Sequence, residues 1–447
     1  MDESVSRCAL PDFFCVSRFR HSKGLYDLLN RKRTATMKRV SANTEGRPVK
    51  RRREAGQTLA FVTFGLVAFL TAAGLAVDMG YLRYERRLMQ AAADSAALAA
   101  ATDLNLGNAS IYFADALDVA QFNGFTDGVN NVTVTPSNPP ATLPVGDPNS
   151  GNTNAVEVVV QQILPSLFMK IVGLNSTTMQ ATAVAAIGTS NGCMYALQAR
   201  GITLNAGVDA ANCGIVDNGS LSGNGNLTAA SVGVFGSAAG YTAVSSPPAE
   251  TIVQPAADPL AYLAPPTVGG CTQTNFTWSV GITALAPGVY CGGIAISGGS
   301  VTFGPGLYIL TGTTGLQITG AGIATDAGAG VTFYNSGTGG ITFSGTGSVS
   351  FTAPTSAVSS LPAGILFYQD PADTTPADLS LAGTGNAVLS GTLYFPAAPL
   401  TVAGSLNPSM NTVVVAGSIT VSGSVLLKAD SISVPGGSPL QTVSLVE

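Results

Sequence analysis

The chain has 447 residues, of which 10% are charged and 46% are hydrophobic, a composition that excludes disorder caused by charge. Fourteen of its 20 Lys and Arg lie in residues 1–53, whereas residues 88–447 hold three basic and 17 acidic residues, a net charge of −14. A body of that charge repels phosphate backbones, so we expect no nucleic-acid partner.

Residues 1–54 form a basic N-terminal segment that we assign to the cytoplasm. Residues 1–36 of it carry no clear pattern, and a start at Met37 would give a shorter, basic terminus. Leu59–Val77 follow with 19 positions free of charge, just enough helix to cross a hydrocarbon core about 30 Å thick. Basic residues directly before such a span keep that side in the cytoplasm, so the chain after Asp78 is predicted to be exported.

A cleaved signal peptide is the alternative to a retained anchor. The apolar stretch is longer than a usual signal core, and the segment after it continues as a patterned helix rather than opening into an AxA-type cleavage site. Both observations favour retention, with the membrane as the first partner of the chain.

The helix is predicted to continue to residue 105, because residues 78–103 are rich in Ala and lack Pro. Small residues recur every fourth position, first at Ala68, Ala72, Ala76 and Gly80 and then at Ala92, Ala96 and Ala100. In the bilayer such a stripe lets another helix approach, which predicts a helix-mediated oligomer. Outside the bilayer it would pack on a globular domain or a neighbouring subunit, and helix propensity alone is the alternative explanation there.

Three short motifs frame the span. Gly56-Gln57 precede it, Val77-Asp78-x-Gly80-Tyr81 end it, and Gln90-x-Ala92-Ala93-Asp94-x-Ala96-Ala97 follow. Over roughly residues 50–105 this order resembles the N-terminal module of TadG-like proteins, which belong to the Tad (tight adherence) machinery that assembles Flp-type pili. The residues that carry the motif, and that the resemblance makes structural, are Gly56, Gln57, Asp78, Gly80, Gln90, Ala92, Asp94, Ala96 and Ala97.

The resemblance implies a location and a class of function. It implies a single-pass protein of the bacterial inner membrane, with its C-terminal body periplasmic or extracellular. It also implies a structural or assembly role in a pilus or related envelope appendage, with other pilus-assembly envelope proteins as partners.

Residues 106–188 are predicted to form a small α/β unit, which is pilin-like in outline by analogy only. Strand composition occurs at 132–135, 155–160 and 179–187. Leu164–Val172 suits a short helix with Pro165 near its start, and the Pro/Asn/Gly stretch 136–154 is predicted to be a loop.

Residues 189–447 are predicted to form a Gly-rich β domain, which makes the fold class mainly β with an N-terminal transmembrane helix. Short apolar runs such as Ser300–Phe303, Gly340–Phe343 and Thr412–Val415 alternate with Gly/Ser/Asn turns. This texture favours a solenoid, with a parallel β-helix as the first choice and a β-sandwich as the alternative. Residues 245–266 contain two Pro-Pro pairs and are predicted to be a linker that interrupts the stack.

Four cysteines lie in the predicted exported body, in two pairs that are each 20 positions apart: Cys193, Cys213, Cys271 and Cys291. An even number suits disulfides in an oxidising compartment. We favour Cys193–Cys213 and Cys271–Cys291, although four cysteines allow three connectivities. A zinc site is the alternative, but no CxxC pair is present.

Residues 22–447 contain no histidine, which removes Ser-His and Cys-His dyads and the commonest metal ligand. Asp370, Asp373 and Asp378 form the best carboxylate cluster for polysaccharide cleavage, but a Pro/Asp-rich loop is the favoured interpretation, and the spacing matches no standard calcium loop. We therefore predict no enzyme and no cofactor. The alternative function is a membrane-anchored adhesin or glycan-binding β-helix protein.

Overall fold

The computed structural model describes residues 55–245, 247–252, 254–381, 386–404, 412–422, 426–428, 430, 434–435 and 437–446. The predicted basic segment, residues 1–54, lies outside the described residues. The chain divides into two units, residues 1–67 and residues 68–447, and the sites below belong to the second. A 51-residue helix, α1 (Ala55–Asn105), opens the described part, and α2 (Tyr112–Phe122) follows it.

A small antiparallel sheet packs on these helices. Its strands are β1 (Val132–Ser137), β2 (Ala155–Pro165), β3 (Ser176–Thr189) and the last strand of the chain, β26 (Gln441–Leu445), in the order β1-β2-β3-β26. Valines and alanines from one face of β1, β2 and β3 meet buried alanines of α1 and α2 in one core. Val158 and Ala183, for example, are fully buried against the helices.

Two features of this unit differ from the sequence prediction. Leu164 and Pro165 pair with Thr177 and Ser176, so β2 takes residues assigned to a short helix, and only a 3₁₀ turn remains at Met169–Val172. Proline lacks the N–H that would continue the ladder, and the strand ends there. Strand β26, which falls in the predicted Gly-rich domain, is the edge of the small sheet.

The body is a parallel-stranded solenoid, which confirms the solenoid prediction, because a β-sandwich would be built from antiparallel pairs. Its strands are β4 (Gly192–Ala196), β5 (Ile202–Leu204), β6 (Gly207–Asp217), β7 (Ser222–Gly223), β8 (Asn226–Val234), β9 (Thr242–Ser245), β10 (Glu250–Thr251), β11 (Gln273–Trp278), β12 (Ile282–Leu285), β13 (Gly288–Ile296), β14 (Ser300–Phe303), β15 (Gly306–Thr311), β16 (Leu316–Ile318), β17 (Ile323–Asp326), β18 (Val331–Asn335), β19 (Ile341–Gly345), β20 (Ser348–Thr352), β21 (Ile365–Gln369), β22 (Ala377–Leu381), β23 (Asn386–Gly404), β24 (Thr412–Val421) and β25 (Leu426–Lys428).

The chain enters this solenoid in the middle of the stack. From β4 it winds through β6 and β8 to one end, at β9 and β10. It resumes at the opposite end with β11 and winds back through β13, β15, β18, β21 and β23 to β24. Strand β24 then pairs with β4, so the final coil joins the two windings into one continuous stack.

A strap, residues 254–272, covers the distance between the two ends. Its Ala256 exchanges two hydrogen bonds with the Asn218 side chain, at 2.7 and 2.8 Å. Farther along, Asp258 accepts a hydrogen bond from the Tyr394 hydroxyl at 2.7 Å, and the Leu263 carbonyl accepts one from Tyr368 at 3.1 Å. The predicted linker is therefore held along the side of the solenoid.

Large side chains fill the interior. One ladder of rings joins successive coils at centroid distances of 5.4–6.3 Å and runs through Tyr308, Phe333, Phe367 and Phe395. At one turn the coils approach too closely for a side chain: Gly345 has a φ of 95°, and a Cβ there would collide with the carbonyl oxygen of Gly320 in the neighbouring coil. Glycine spacing thus sets how closely the coils stack.

Candidate functional site: the joint between the long helix and the small sheet

The surface of α1 changes character along its length. From Leu59 to Val77 every side chain except Gly74 is exposed, and most are large and apolar. By length and composition, α1 is the one helix in the described part of the chain that is able to cross a membrane. Its C-terminal half instead packs on the small sheet, so α1 has an exposed apolar stretch and a separate buried packing face.

Asp78, the first charged residue after the span, is the polar centre of the joint. It is 1% exposed, and its carboxylate accepts hydrogen bonds from the backbone N–H groups of Leu167, Phe168 and Met169 at 3.2, 3.0 and 2.7 Å. These amides open the 3₁₀ turn between β2 and β3, where no backbone partner is available to them. A carboxylate is the side chain that satisfies several such donors at once.

The two glycines on either side of Asp78 in α1, Gly74 and Gly80, have different surroundings. A Cβ added to Gly74 would lie 2.9 Å from the Cβ of Phe168, so the missing side chain lets the β2–β3 connection touch the helix one turn before Asp78. A Cβ at Gly80 would meet nothing within 4 Å. Gly56 and Gln57 lie in the first turn of α1.

The alanines of the motif form the buried side of α1. Ala92, Ala96 and Ala97 are fully buried and pack against the valines and alanines of the sheet. Ala68, Ala72 and Ala76, by contrast, are exposed. Residues spaced by four drift by about 40° per step around a helix of 3.6 residues per turn, so the two sets lie on different faces of α1.

Gln90 fastens the helix to the sheet. Its side-chain amide donates to the Thr182 carbonyl of β3 at 3.0 Å and to the Asp94 carboxylate at 2.8 Å. Asp94 thereby orients the glutamine from one turn farther along the helix. The two polar residues of this motif, Gln90 and Asp94, therefore hold α1 against the sheet where the alanines between them pack.

A carboxyl pair lies where α1 ends and α2 begins. Burial, together with the hydrogen bond and charge of Asp115, raises the pKa of Asp103 to about 6. Two carboxyls that share a site favour a proton between them, because like charges disfavour double ionisation. The loss of the Asp103 proton as the pH rises through about 6 consequently destabilises this end of the joint.

Three hydrogen-bonded carboxylates, two of them buried and one half-buried, were missed from the sequence. Glu157 accepts hydrogen bonds from the N–H groups of Ala141 and Thr142 at 2.7 and 2.8 Å and holds the 138–154 loop. Asp217 accepts a hydrogen bond from the Gly219 N–H at the end of β6, Asp258 accepts one from the Leu260 N–H within the strap, and burial raises the pKa of both. The signal available for Glu157 and Asp217 was a lone acidic residue within or ending an apolar strand.

The other candidates from the sequence occupy structural positions. Disulfides join Cys193 to Cys213 and Cys271 to Cys291, with Cα atoms 5.7 and 5.6 Å apart, as predicted. Each ties a strand or strand-flanking residue to the neighbouring coil, near the start of one of the two windings.

The predicted carboxylate cluster forms turn caps. Asp370 accepts hydrogen bonds from the Tyr334 hydroxyl at 2.6 Å and from the Ala372 N–H at 2.9 Å, and Asp373 accepts one from the Thr375 N–H at 2.9 Å. Asp378 begins the next strand, paired with Thr342. Among the described residues, no group of three or more His, Cys, Asp or Glu is placed to hold a metal ion.

Two protein-family models match the N-terminal part of the chain. One, described as Flp pilus-assembly TadE/G-like, matches residues 56–103, and the other, described as Tad-like Flp pilus-assembly, matches residues 81–185. No curated protein and no solved structure matched the chain. The two models confirm the resemblance drawn from the motif residues. They cover α1 and the first three strands of the small sheet.

Proposed function

We propose that this TadG-like member of the Tad family is a membrane-anchored structural or assembly component of an Flp-type pilus or a related bacterial envelope appendage. The family is one of pilus assembly rather than of enzymes. The observation that carries the proposal is the joint at Asp78, where a conspicuous motif residue couples an apolar helix to a folded unit. A joint of this kind suits a mechanical role.

The topology we propose has one crossing of the inner membrane. The basic residues before the span support a cytoplasmic N-terminus. The two disulfides support an oxidising compartment for the body, as expected of the periplasm or the cell surface.

The mechanism we propose is positional. The span fixes the chain in the bilayer, and the Asp78 joint and the alanine packing transmit that position to the small sheet. Strand β26 then ties the end of the solenoid's chain back to the sheet, through β3. Ala68, Ala72 and Ala76 stay exposed on the span and are suited to close approach by a helix of another envelope protein or of a second copy.

A complementation experiment tests this function. Cells that lack the protein should assemble few or no pili, and wild-type chain should restore them. Asp78→Ala should restore fewer than Ala91→Leu, which changes an exposed position of the same helix. Normal pilus numbers in the deletion strain would remove the assembly role.

The alternative function is that of a membrane-anchored adhesin or glycan-binding protein. In this alternative the solenoid, which begins after the matched residues, is the part that we assign to binding. A deletion strain with normal pili but poor attachment to surfaces or glycans would support that function instead.

A further inference from the structure

The connection between β2 and β3 carries an unusual cluster of exposed apolar side chains. Leu167, Phe168, Ile171 and Leu174 are 46%, 47%, 80% and 56% exposed, within eight consecutive positions. We call residues 167–174 the apolar tip. Lone exposed apolar residues are ordinary on a protein surface, but a contiguous group marks a contact with something apolar.

The tip lies beside the end of the membrane-spanning stretch. Its first three backbone N–H groups bind the Asp78 carboxylate, and the Phe168 side chain contacts Gly74, which lies within the span. Asp78 is the first charged residue after 19 apolar positions. The tip is therefore level with the last turn of the span.

The sheet extends from this point away from the span. Gln90 lies 12 residues after Asp78 in α1, which corresponds to about 18 Å along the helix axis. Its side chain donates a hydrogen bond to the Thr182 carbonyl of β3. Strand β2 consequently runs towards the span and β3 runs away from it. The 138–154 loop lies at the far end of the 11-residue β2, about 35 Å from the tip.

The charge of the segment fits a membrane surface. Lys170 is the one charged residue of the tip, it is exposed, and no Asp or Glu occurs between Glu157 and Asp209. A lysine at such a position extends its ammonium group to the headgroups while its carbon chain stays in apolar surroundings.

We propose that the apolar tip inserts into the outer interface of the same bilayer that α1 crosses and gives the protein a second membrane contact. The proposal rests on the membrane anchoring proposed above. Insertion of apolar side chains to a depth of about 5–10 Å is usual for interfacial segments. With two contacts joined at Asp78, the unit above the membrane is held at a fixed tilt instead of pivoting on a single helix.

Quenching of tryptophan by brominated lipids tests the insertion in the full chain. The chain has one tryptophan, Trp278, which supplies a constant background. Ile171→Trp places a second one in the tip, and Val145→Trp places one at a fully exposed position in the far loop, as a matched control. Both variants are reconstituted into phosphatidylcholine vesicles with bromine near the headgroup end of the acyl chain, and vesicle flotation measures anchoring separately.

The expected result is that the emission added by Ile171→Trp falls by about half or more in brominated vesicles, while that added by Val145→Trp does not change. Chain that floats with the vesicles but shows no quenching at residue 171 would overturn the insertion and leave the anchor intact. Equal quenching of the two variants would also overturn it. Chain that does not float would remove the anchor, and the insertion with it.

Discussion

The solenoid and the helix–sheet unit bury their surfaces with opposite kinds of side chains. The solenoid interior contains stacked Phe and Tyr rings contributed by successive coils. The interface of α1 with its sheet is built from Ala and Val, with Met89 as its one fully buried large side chain from the helix. Large-to-small substitutions, which leave a cavity, should therefore destabilise the solenoid most. Small-to-large substitutions, which overpack the interface, should destabilise the helix–sheet unit most.

The two regions also use polar groups differently. In the helix–sheet unit single side chains, Asp78 and Gln90, connect the elements. In the solenoid each coil contacts its neighbours through backbone ladders, so no one side chain holds the stack. We therefore expect a destabilising substitution in the solenoid to affect only the neighbouring coils. A substitution at Asp78 or Gln90 should destabilise the packing of the helix on the sheet.

The largest effect is expected from Phe333→Ala in the solenoid. Phe333 is fully buried and contacts Phe303, Tyr308, Phe351 and Phe367, so its removal leaves a cavity and should cost about 4 kcal/mol of the local unfolding free energy. Hydrogen exchange followed by mass spectrometry should show faster exchange in the coils around β18 alone. The exposed Ile282→Ala serves as the control. Faster exchange throughout α1 would contradict the independence of the two regions.

Asp78→Ala comes next, in the helix–sheet unit. Three backbone N–H groups lose a charged acceptor, which should cost about 3 kcal/mol and loosen the β2–β3 connection. Limited proteolysis near residues 166–175 of detergent-solubilised protein measures the change. Asp78→Asn keeps one acceptor oxygen and should fall between wild type and Asp78→Ala. Equal protease resistance of all three proteins would mean that the carboxylate does not hold the connection.

Much of this contrast could be predicted from the sequence, because each region has a local signature. The 19-residue apolar stretch, the alternating strands with Gly-rich turns and the cysteine spacing each depend on neighbouring residues. Three of the four strands of the small sheet were placed correctly for the same reason. The exceptions are β26, which was assigned to the Gly-rich domain, and the helix assigned at Leu164–Val172, whose residues are partly taken by the ladder with Ser176 and Thr177.

The remainder depends on contacts between distant residues. The pairing of Val414 with Met194, which closes the solenoid, carries no sequence signal, because any apolar parallel strands could pair in this way. The acceptor role of Asp78 was hidden because its partners are backbone amides. The expectation that one stripe runs from Ala68 to Ala100 ignored the rotation of a four-residue repeat around the helix.

Ala96→Leu should have a smaller effect of the opposite kind. Leucine adds volume where α1 touches the sheet, and the overpacking should cost about 2 kcal/mol. The measurement is the thermal unfolding of the α1–sheet region in detergent. Ala91→Leu, on the exposed side of the same helix, should leave the midpoint unchanged. An unchanged unfolding midpoint in Ala96→Leu would show that the interface between α1 and the sheet accommodates a larger side chain, and would contradict the overpacking.

The smallest effect is expected from Asp103→Asn and depends on pH. Because burial and Asp115 raise the folded-state pKa of Asp103 to about 6, above its ordinary value near 4, the folded state holds the proton more tightly than the unfolded state does. The contribution of Asp103 to the stability of the unit should therefore be most favourable below about pH 4, fall as the pH rises to about 6, and stay lower above it.

Asp103→Asn should remove that slope and raise stability at neutral pH by less than about 1 kcal/mol, since the site is partly exposed. Urea unfolding between pH 4 and pH 8 measures it, because this range includes the window of about pH 4 to 6 set by the two pKa values. The exposed Asp118→Asn should keep the wild-type slope. An unchanged slope in Asp103→Asn would place the pH dependence elsewhere.

We propose above all that the apolar part of α1 spans the membrane and that both folded regions lie outside the cytoplasm. Alkaline phosphatase and a fluorescent protein, each fused after residue 110, report the compartment of that point directly. We predict an active phosphatase and a dark fluorescent protein, with both fusions in the membrane fraction. A fluorescent fusion with inactive phosphatase would place the start of the folded body in the cytoplasm and contradict the account.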